Sequence, residues 1–156
     1  MRLFSSLFLF AVLAAVASAA EVSIVRVLTG WRDAASFKRI SEYFSGRENT
    51  RGETMLRTHP DQRGGYYFLV RATNAGGPAA IRINVQMIMP ADSKLRTHTF
   101  DTALKSGVTV LHLGLTGSDW PDAGTDPVAW KLDLLAPDGH VLESEKSYLW
   151  EKPAGN

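Results

Sequence analysis

The chain has 156 residues, with 17 basic and 16 acidic side chains, a formal net charge of +1 and no cysteine. The lack of cysteine excludes disulfides and cysteine nucleophiles, and the near-neutral charge does not favour nucleic-acid binding, which usually needs a strong basic excess. The charge is uneven, because residues 21–105 carry 13 Lys/Arg and 8 Asp/Glu, whereas residues 106–156 carry 3 and 8.

The first predicted element is a secretory signal peptide at residues 1–19. Arg2 supplies a positive start, residues 3–16 form an almost entirely apolar run, and the small triplet at residues 17–19 is typical of a cleavage site. The run is shorter than the roughly 20 residues of a membrane span. We therefore expect a secreted or periplasmic protein with no membrane span after cleavage, and a single domain over residues 20–156. The alternative is an uncleaved anchoring helix.

The mature chain opens with a strand and then an ambiguous segment. Residues 22–28 are apolar and β-branched, which favours a strand. In residues 33–46 four apolar side chains fall at helical spacing, between an aspartate that can cap a helix and a glycine that can end one. The same residues can alternate along a strand, and we favour a strand because its surroundings are β. One short helix near residues 34–44 is the alternative. Residues 54–58 follow as a short strand.

The middle of the chain carries two strands with clear alternation. Residues 65–73 and 80–89 alternate between apolar and polar side chains, and a period of two is typical of a half-buried strand. In the second of them the apolar face consists of Ile81, Ile83, Val85 and Met87. The glycines of residues 74–78 permit a tight reversal, so we predict a hairpin that joins the two strands.

The last part of the chain repeats this pattern. Residues 96–102, 107–115 and 128–135 are predicted strands, the last with Trp130 on its core face. The Pro-Asp-Gly triplet at residues 137–139 predicts a hairpin turn, followed by a return strand from about residue 140 to 144. Eight or nine short strands with frequent turns predict an all-β fold of two packed antiparallel sheets. This pattern resembles immunoglobulin-like and fibronectin-III-like sandwiches in architecture.

The loop at residues 114–127 concentrates polar and turn-forming residues between two apolar strands. Asp119, Asp122 and Asp126 offer hard oxygen ligands of the kind that calcium prefers, which makes a calcium site one hypothesis for this loop. Their spacing does not match an EF-hand, and Asp, Gly and Pro are also the usual residues of turns. We therefore favour a structural corner without a cofactor over a calcium site.

Two tryptophans lead to a second hypothesis. Trp120 lies in this loop beside Asp119, and Trp31 lies just after the first predicted strand. Exposed aromatic rings can stack on sugar rings, and a neighbouring carboxylate can bind sugar hydroxyls, so the two residues could bind a glycan. A tryptophan at a strand end also buries a large apolar area when it folds back onto the core. We favour the second interpretation for Trp120.

Residues 57–68 form a further candidate surface. Arg63 and Tyr66, with Arg57 and Tyr67 near them, are residue types that often anchor interfaces. The Pro-Asp and Gly-Gly pairs of the same stretch are typical of a turn, and we favour the turn.

No motif for catalysis or zinc binding is present. The four histidines lack the close spacing of paired ligands, and no G-x-S-x-G nucleophile elbow occurs. We expect an exported, non-enzymatic β-sandwich that binds an envelope protein or a glycan, or that serves as a structural module. The alternative is a small secreted hydrolase that acts on an envelope polymer.

Overall fold

Two four-stranded sheets make up most of the structure, which is a computed structural model that describes residues 21–120 and 122–151. The strands are β1 (Val22–Arg32), β2 (Thr54–Arg57), β3 (Gly65–Asn74), β4 (Ala79–Ile88), β5 (Leu95–Leu104), β6 (Gly107–Thr116), β7 (Ala129–Leu135) and β8 (Val141–Lys146). One α-helix, α1 (Ile40–Ser45), and three short 3-10 turns complete this part of the chain. The predicted signal peptide lies outside the described residues. No helix within residues 21–120 and 122–151 has the length and apolar character needed to cross a membrane.

The strands divide between the sheets in an order that differs from their order in the chain. Sheet 1 has the order β1-β3-β6-β2, and sheet 2 has the order β5-β4-β7-β8. All neighbouring strands are antiparallel except β2 and β6, which run parallel. The predicted all-β fold of two packed sheets is therefore confirmed. The likeness to immunoglobulin and fibronectin-III sandwiches stays a prediction.

The core lies between the sheets and is filled mainly by alternate residues of β3, β4, β6 and β7. Successive side chains of a strand point to opposite faces, so one apolar residue in two is enough to line the inner face. The predicted apolar face of β4 lies in this core, together with the inner residues of β3, namely Tyr66, Phe68, Val70 and Ala72. Trp130 of β7 is half-buried and packs edge-on against Phe68, with 5.5 Å between the ring centroids. The faces predicted from alternation are confirmed for these strands.

The predicted hairpin at residues 74–78 is wrong. β3 pairs with β1 and β6 in sheet 1, whereas β4 pairs with β5 and β7 in sheet 2, so this connection crosses between the sheets. Asn74 shapes the reversal, because its side-chain oxygen accepts a hydrogen bond from the Gly76 amide at 3.0 Å and its side-chain amide donates to the Gly77 carbonyl at 2.9 Å. The local turn follows from these residues, but the partner of each strand does not.

Residues 34–37 form a 3-10 turn and residues 40–45 form an α-helix, with Lys38 and Arg39 extended between them, so the favoured strand is wrong and the alternative of one short helix is confirmed. Asp33 accepts a hydrogen bond from the Ser36 amide at 2.7 Å and caps a 3-10 turn, Ala34–Phe37. α1 begins at Ile40 and is followed by Gly46, whose φ of 64° lies in the left-handed region that favours glycine. The local signals that start and end a helix therefore outweigh the β context.

Candidate functional site

The segment between β1 and β2, residues 33–53 and here called the clamped segment, lies on the outer face of sheet 1. Its Phe37 is buried against Tyr67 of β3, with 4.7 Å between the ring centroids. Tyr67 points away from the core because it alternates with the inward-facing Tyr66. Its ring lies over Gly114 of β6, where a Cβ atom would come within 2.5 Å of the ring. Gly114 therefore makes the room in which an aromatic pair anchors the segment.

Arg57, at the end of β2, holds the second half of the clamped segment. Its guanidinium donates two hydrogen bonds to the Glu48 carboxylate, at 2.8 and 2.6 Å, and a third to the Tyr67 hydroxyl at 2.7 Å. The same hydroxyl donates to the Arg63 carbonyl at 2.6 Å. The Arg57 guanidinium also lies 5.2 Å from the Phe37 ring centroid, and the side chain is only 5% exposed. Arg57 thus ties the segment to the sheet and is not free to bind an external anion.

The Arg57–Glu48 pair predicts a loss of stability in acid. Its hydrogen bonds hold the pKa of Glu48 below the ordinary value of 4.5. A carboxylate with a lowered folded-state pKa stabilises the fold above its unfolded-state pKa, and this contribution is lost as the pH falls through the folded-state value. We expect the free energy of unfolding to fall more steeply between about pH 7 and about pH 3 in the wild type than in Glu48→Gln. Denaturant unfolding measures this, and parallel pH profiles would contradict it.

α1 is held by its polar side. Glu42 lies on the face opposite to Ile40, and its carboxylate accepts a hydrogen bond from the Arg63 guanidinium at 2.6 Å. This bond is the main reason that the pKa of Glu42 is lowered. Asn49 adds a backbone hydrogen bond to Glu42 at 3.3 Å and a side-chain hydrogen bond to Ser41 at 2.9 Å. The polar face of the helix is therefore occupied by contacts within the protein.

The opposite side of α1 is apolar and faces solvent. Ile40, Tyr43 and Phe44 are spaced i, i+3 and i+4, which places them on one face of a helix. They are 80%, 79% and 88% exposed, respectively. A surface helix normally turns its apolar stripe to the core and its polar face to water. In α1 the polar face contacts the protein and the apolar face meets solvent. Such an exposed apolar cluster is typical of a contact surface.

Exposed basic residues flank α1 in the sequence. Lys38 and Arg39 immediately precede α1, and Arg47 follows it. All three are exposed, whereas the two acidic groups nearby, Glu42 and Glu48, are neutralised by arginines of the protein itself. A groove of about 200 Å³ lies beside the helix and is lined by Lys38, Arg39, Glu42, Tyr43 and Arg63. The surface therefore combines apolar side chains with an excess of positive charge.

A second apolar surface lies on the part of sheet 1 that the clamped segment leaves open. It is a groove of about 450 Å³ across β1, β3 and β6, in which Val25, Leu28 and Val108 are about half exposed. Arg26, Arg71 and Glu53, the last residue of the clamped segment, also line it. This groove is lined by both aliphatic and basic side chains, as is the surface around α1.

Trp120 lies in the core. It is 3% exposed, and its ring stacks on that of Tyr66 with 4.5 Å between the centroids. Burial raises the pKa of Tyr66, a hydrogen bond from Thr29 lowers it, and the nearby Asp126 carboxylate raises it further. The favoured interpretation of Trp120 as a lid on the core agrees with this position. A buried ring cannot stack on a sugar, so the glycan hypothesis loses its main support.

The other proposed ligand-binding residues, Trp31, Asp119 and Arg63, lie in three different places. Trp31 is half-buried at the end of β1, opposite Tyr66 in the ladder, and lines a groove of about 410 Å³ along this edge strand. Asp119 follows the strand β6 and lies 3.5 Å from His59. Arg63 belongs instead to the contacts of the clamped segment. Its partner is a carboxylate of the protein, and the turn before β3 positions it.

The three aspartates of the proposed calcium site each face a different group. Asp122 accepts hydrogen bonds from the Gly124 amide at 2.9 Å and the Thr125 hydroxyl at 2.5 Å, which lower its pKa. Asp119 faces a histidine, and Asp126 faces Tyr66. Across residues 21–120 and 122–151, no three His, Asp or Glu side chains are placed to hold one metal ion. The loop joins β6 of sheet 1 to β7 of sheet 2, as expected of a structural corner.

One histidine forms a close contact below the clamped segment. The Nε2 atom of His112, on β6, lies 2.6 Å from the Glu53 carboxylate, while its Nδ1 atom is buried and has no hydrogen-bond partner among the described residues. The pair joins the end of the clamped segment to the middle of sheet 1. Glu53 itself is partly exposed. This geometry serves to attach the segment, in the same way as the Arg57–Glu48 pair.

The exposed face of α1 is the feature that the sequence analysis missed. The helical spacing of Phe37, Ile40 and Phe44 was noted, but such spacing usually marks residues that pack together in the core. In fact Phe37 is buried, whereas Ile40 and Phe44 are exposed. A signal was present, because basic residues precede Ile40 and follow Phe44 in the sequence. Which face of the helix meets solvent required the contacts made by Glu42 and Asn49.

Comparison with known proteins adds no relative: no protein-family model, curated protein or solved structure matches the chain. The fold and the site define the class of protein by architecture alone. It is a two-sheet β-sandwich that carries a clamped helix with its apolar face turned to solvent.

Proposed function

We propose that this chain is an exported, non-enzymatic binding module of the cell envelope or extracellular space, and that α1 is its contact surface. The observation that carries the proposal is the exposure of Ile40, Tyr43 and Phe44 on a helix whose polar face is fixed to the body. Leaving three large apolar groups in water is unfavourable, at about 1.5–3 kcal/mol for each side chain that burial would remove from it. A contact that covers them recovers this free energy.

The rigid mounting of α1 also supports binding. The aromatic anchor at Phe37 and the two arginine–carboxylate pairs fix the helix before any partner arrives. A pre-organised surface loses less conformational entropy on binding than a flexible one. Hence the same contacts that hold the segment on sheet 1 would strengthen its association with a partner.

The alternative of a small hydrolase receives less support. A glycosidase needs a carboxylic acid whose pKa is raised so that it can donate a proton. The carboxylates with clear shifts have lowered pKa values, and in Glu42 and Glu48 the first cause is an arginine. A lowered pKa indicates a carboxylate that stays an anion in an ion pair. A general acid needs a raised pKa instead.

Co-sedimentation with the envelope fraction of producing cells tests the proposed function. In the variant Tyr43→Ser/Phe44→Ser we expect the amount of bound protein to fall by at least about tenfold, because two apolar anchors are lost. The matched control is Tyr148→Ser, which removes an aromatic side chain that is 92% exposed outside the clamped segment. This control should bind like the wild type. Equal binding of all three proteins would contradict the proposal.

A further inference from the structure

We propose, on the basis of the binding function above, that the partner of α1 is an anionic lipid surface. Ile40, Tyr43 and Phe44 would enter the boundary between headgroups and acyl chains, and Lys38, Arg39 and Arg47 would contact the lipid phosphates. A helix that lies on a membrane carries large apolar residues on one side and basic residues beside them. α1 has its three exposed apolar residues on one side, and exposed basic residues precede and follow it in the chain.

Charge complementarity favours a lipid surface. The acidic groups around α1 are already bound by Arg57 and Arg63, so the charges left to meet a partner are mainly the exposed cations. An anionic membrane attracts such cations, with a gain of roughly fivefold in binding for each one near the surface. The groove beside Tyr43 is lined by Lys38 and Arg39, and the carboxylate that also lines it, that of Glu42, is paired with Arg63.

The size of the apolar cluster argues against a second copy of the chain. A stable protein interface buries about 800 Å² on each partner. A fully buried aromatic side chain contributes about 150–250 Å², so the three apolar residues of α1 together reach at most about 750 Å², below that size. One short helix is thus too small for a stable dimer interface. Insertion into a membrane needs no complementary protein surface, because lipid adapts its shape to the inserted residues.

Vesicle binding tests this inference directly. The chain is expressed in full, the form that accumulates is purified, and its N-terminus is identified by mass spectrometry. Partitioning is measured by flotation with vesicles of phosphatidylcholine, alone or mixed with phosphatidylglycerol. We expect binding to the mixed vesicles, weaker binding to pure phosphatidylcholine, and a further loss as salt is raised and the charges are screened.

Two pairs of variants separate the apolar contribution from the electrostatic one. Tyr43→Ser/Phe44→Ser should lower the partition coefficient by at least about tenfold, whereas Tyr148→Ser should leave it unchanged. Lys38→Gln/Arg39→Gln/Arg47→Gln should lower it by about 100-fold. Arg82→Gln/Lys94→Gln/Lys105→Gln removes the same charge from other exposed positions and should have little effect. Thermal unfolding confirms that every variant is folded.

The depth to which α1 enters the membrane is measured by the quenching of tryptophan fluorescence with brominated lipid. Phe44→Trp should show quenching beyond that of the native tryptophans, and Tyr148→Trp should not.

The inference is overturned if the protein does not bind the vesicles, or if the quenching of Phe44→Trp equals that of Tyr148→Trp. Envelope binding that depends on Tyr43 and Phe44 without vesicle binding would leave the proposed function intact and indicate a protein or glycan partner. Concentration-dependent dimers that these substitutions abolish would instead indicate a second copy of the chain.

Discussion

Replacing Trp120 by alanine is expected to lower the free energy of unfolding by about 3–5 kcal/mol. The side chain is buried and stacks on Tyr66, which itself packs against Phe68 with 5.7 Å between the ring centroids. Its removal would take away a large apolar area and leave a cavity between the sheets that the surrounding strands cannot fill. Denaturant unfolding of wild type and variant measures the difference.

Two comparisons show whether Trp120 acts through the core alone. The indole Nε1 atom is buried without a hydrogen-bond partner among the described residues, so Trp120→Phe loses no hydrogen bond and should cost clearly less than Trp120→Ala. Binding to the envelope fraction should be unchanged in both variants under conditions where they are folded. A cost below about 1 kcal/mol for Trp120→Ala, together with lost binding, would restore Trp120 as a ligand-binding residue.

Replacing Arg57 by methionine is expected to lower the free energy of unfolding by about 3–5 kcal/mol and to release the clamped segment. The change removes both hydrogen bonds to Glu48, which keeps only a longer contact with Arg63 at 3.8 Å, and it removes one hydrogen-bond partner of the Tyr67 hydroxyl. A carboxylate that loses its buried partner must either regain water or stay uncompensated. Hydrogen exchange should therefore accelerate in residues 38–49 more than in the strands of sheet 2, because the segment opens locally.

The matched control for Arg57 is Arg82, which forms an exposed pair with Asp101 on sheet 2. Exposed ion pairs contribute about 0–1 kcal/mol, so Arg82→Met should have a small effect. Adding Glu48→Gln to Arg57→Met should recover part of the loss, since it removes a charge that only the longer contact with Arg63 compensates. If Arg57→Met behaves like Arg82→Met in both stability and hydrogen exchange, the pair does not clamp the segment. Envelope binding should weaken in Arg57→Met because α1 is then no longer pre-organised.

Alternation along the chain was sufficient to predict most of the strands and their inner faces. In β4 the residues Ile81 to Met87 alternate strictly, and the strand lies where expected, between Ala79 and Ile88. The turn after β7 was also predicted correctly, because Gly139 has a φ of 92° that few other residues adopt. These features depend on residues close together in the chain, so the sequence carries enough information to assign them.

Strand pairing could not be obtained in the same way. The alternation of β3 and β4 gives each an apolar face, but either a hairpin within one sheet or a crossing between sheets would bury both faces. The parallel pairing of β2 with β6 had no local signal at all, because the two strands are far apart in the sequence. Which strands pair with one another depends on how all eight strands pack around one core.

By itself, the sequence determined the β class, the inner faces of the strands, the glycine that ends α1 and the lack of any disulfide. Only the tertiary structure decided which face of α1 meets solvent. A helix of six residues has too few internal hydrogen bonds to be stable alone, so its orientation is set by contacts with distant residues. Here those contacts are the ion pairs of Arg57 and Arg63 and the packing of Phe37 on Tyr67, and they turn the apolar side outward.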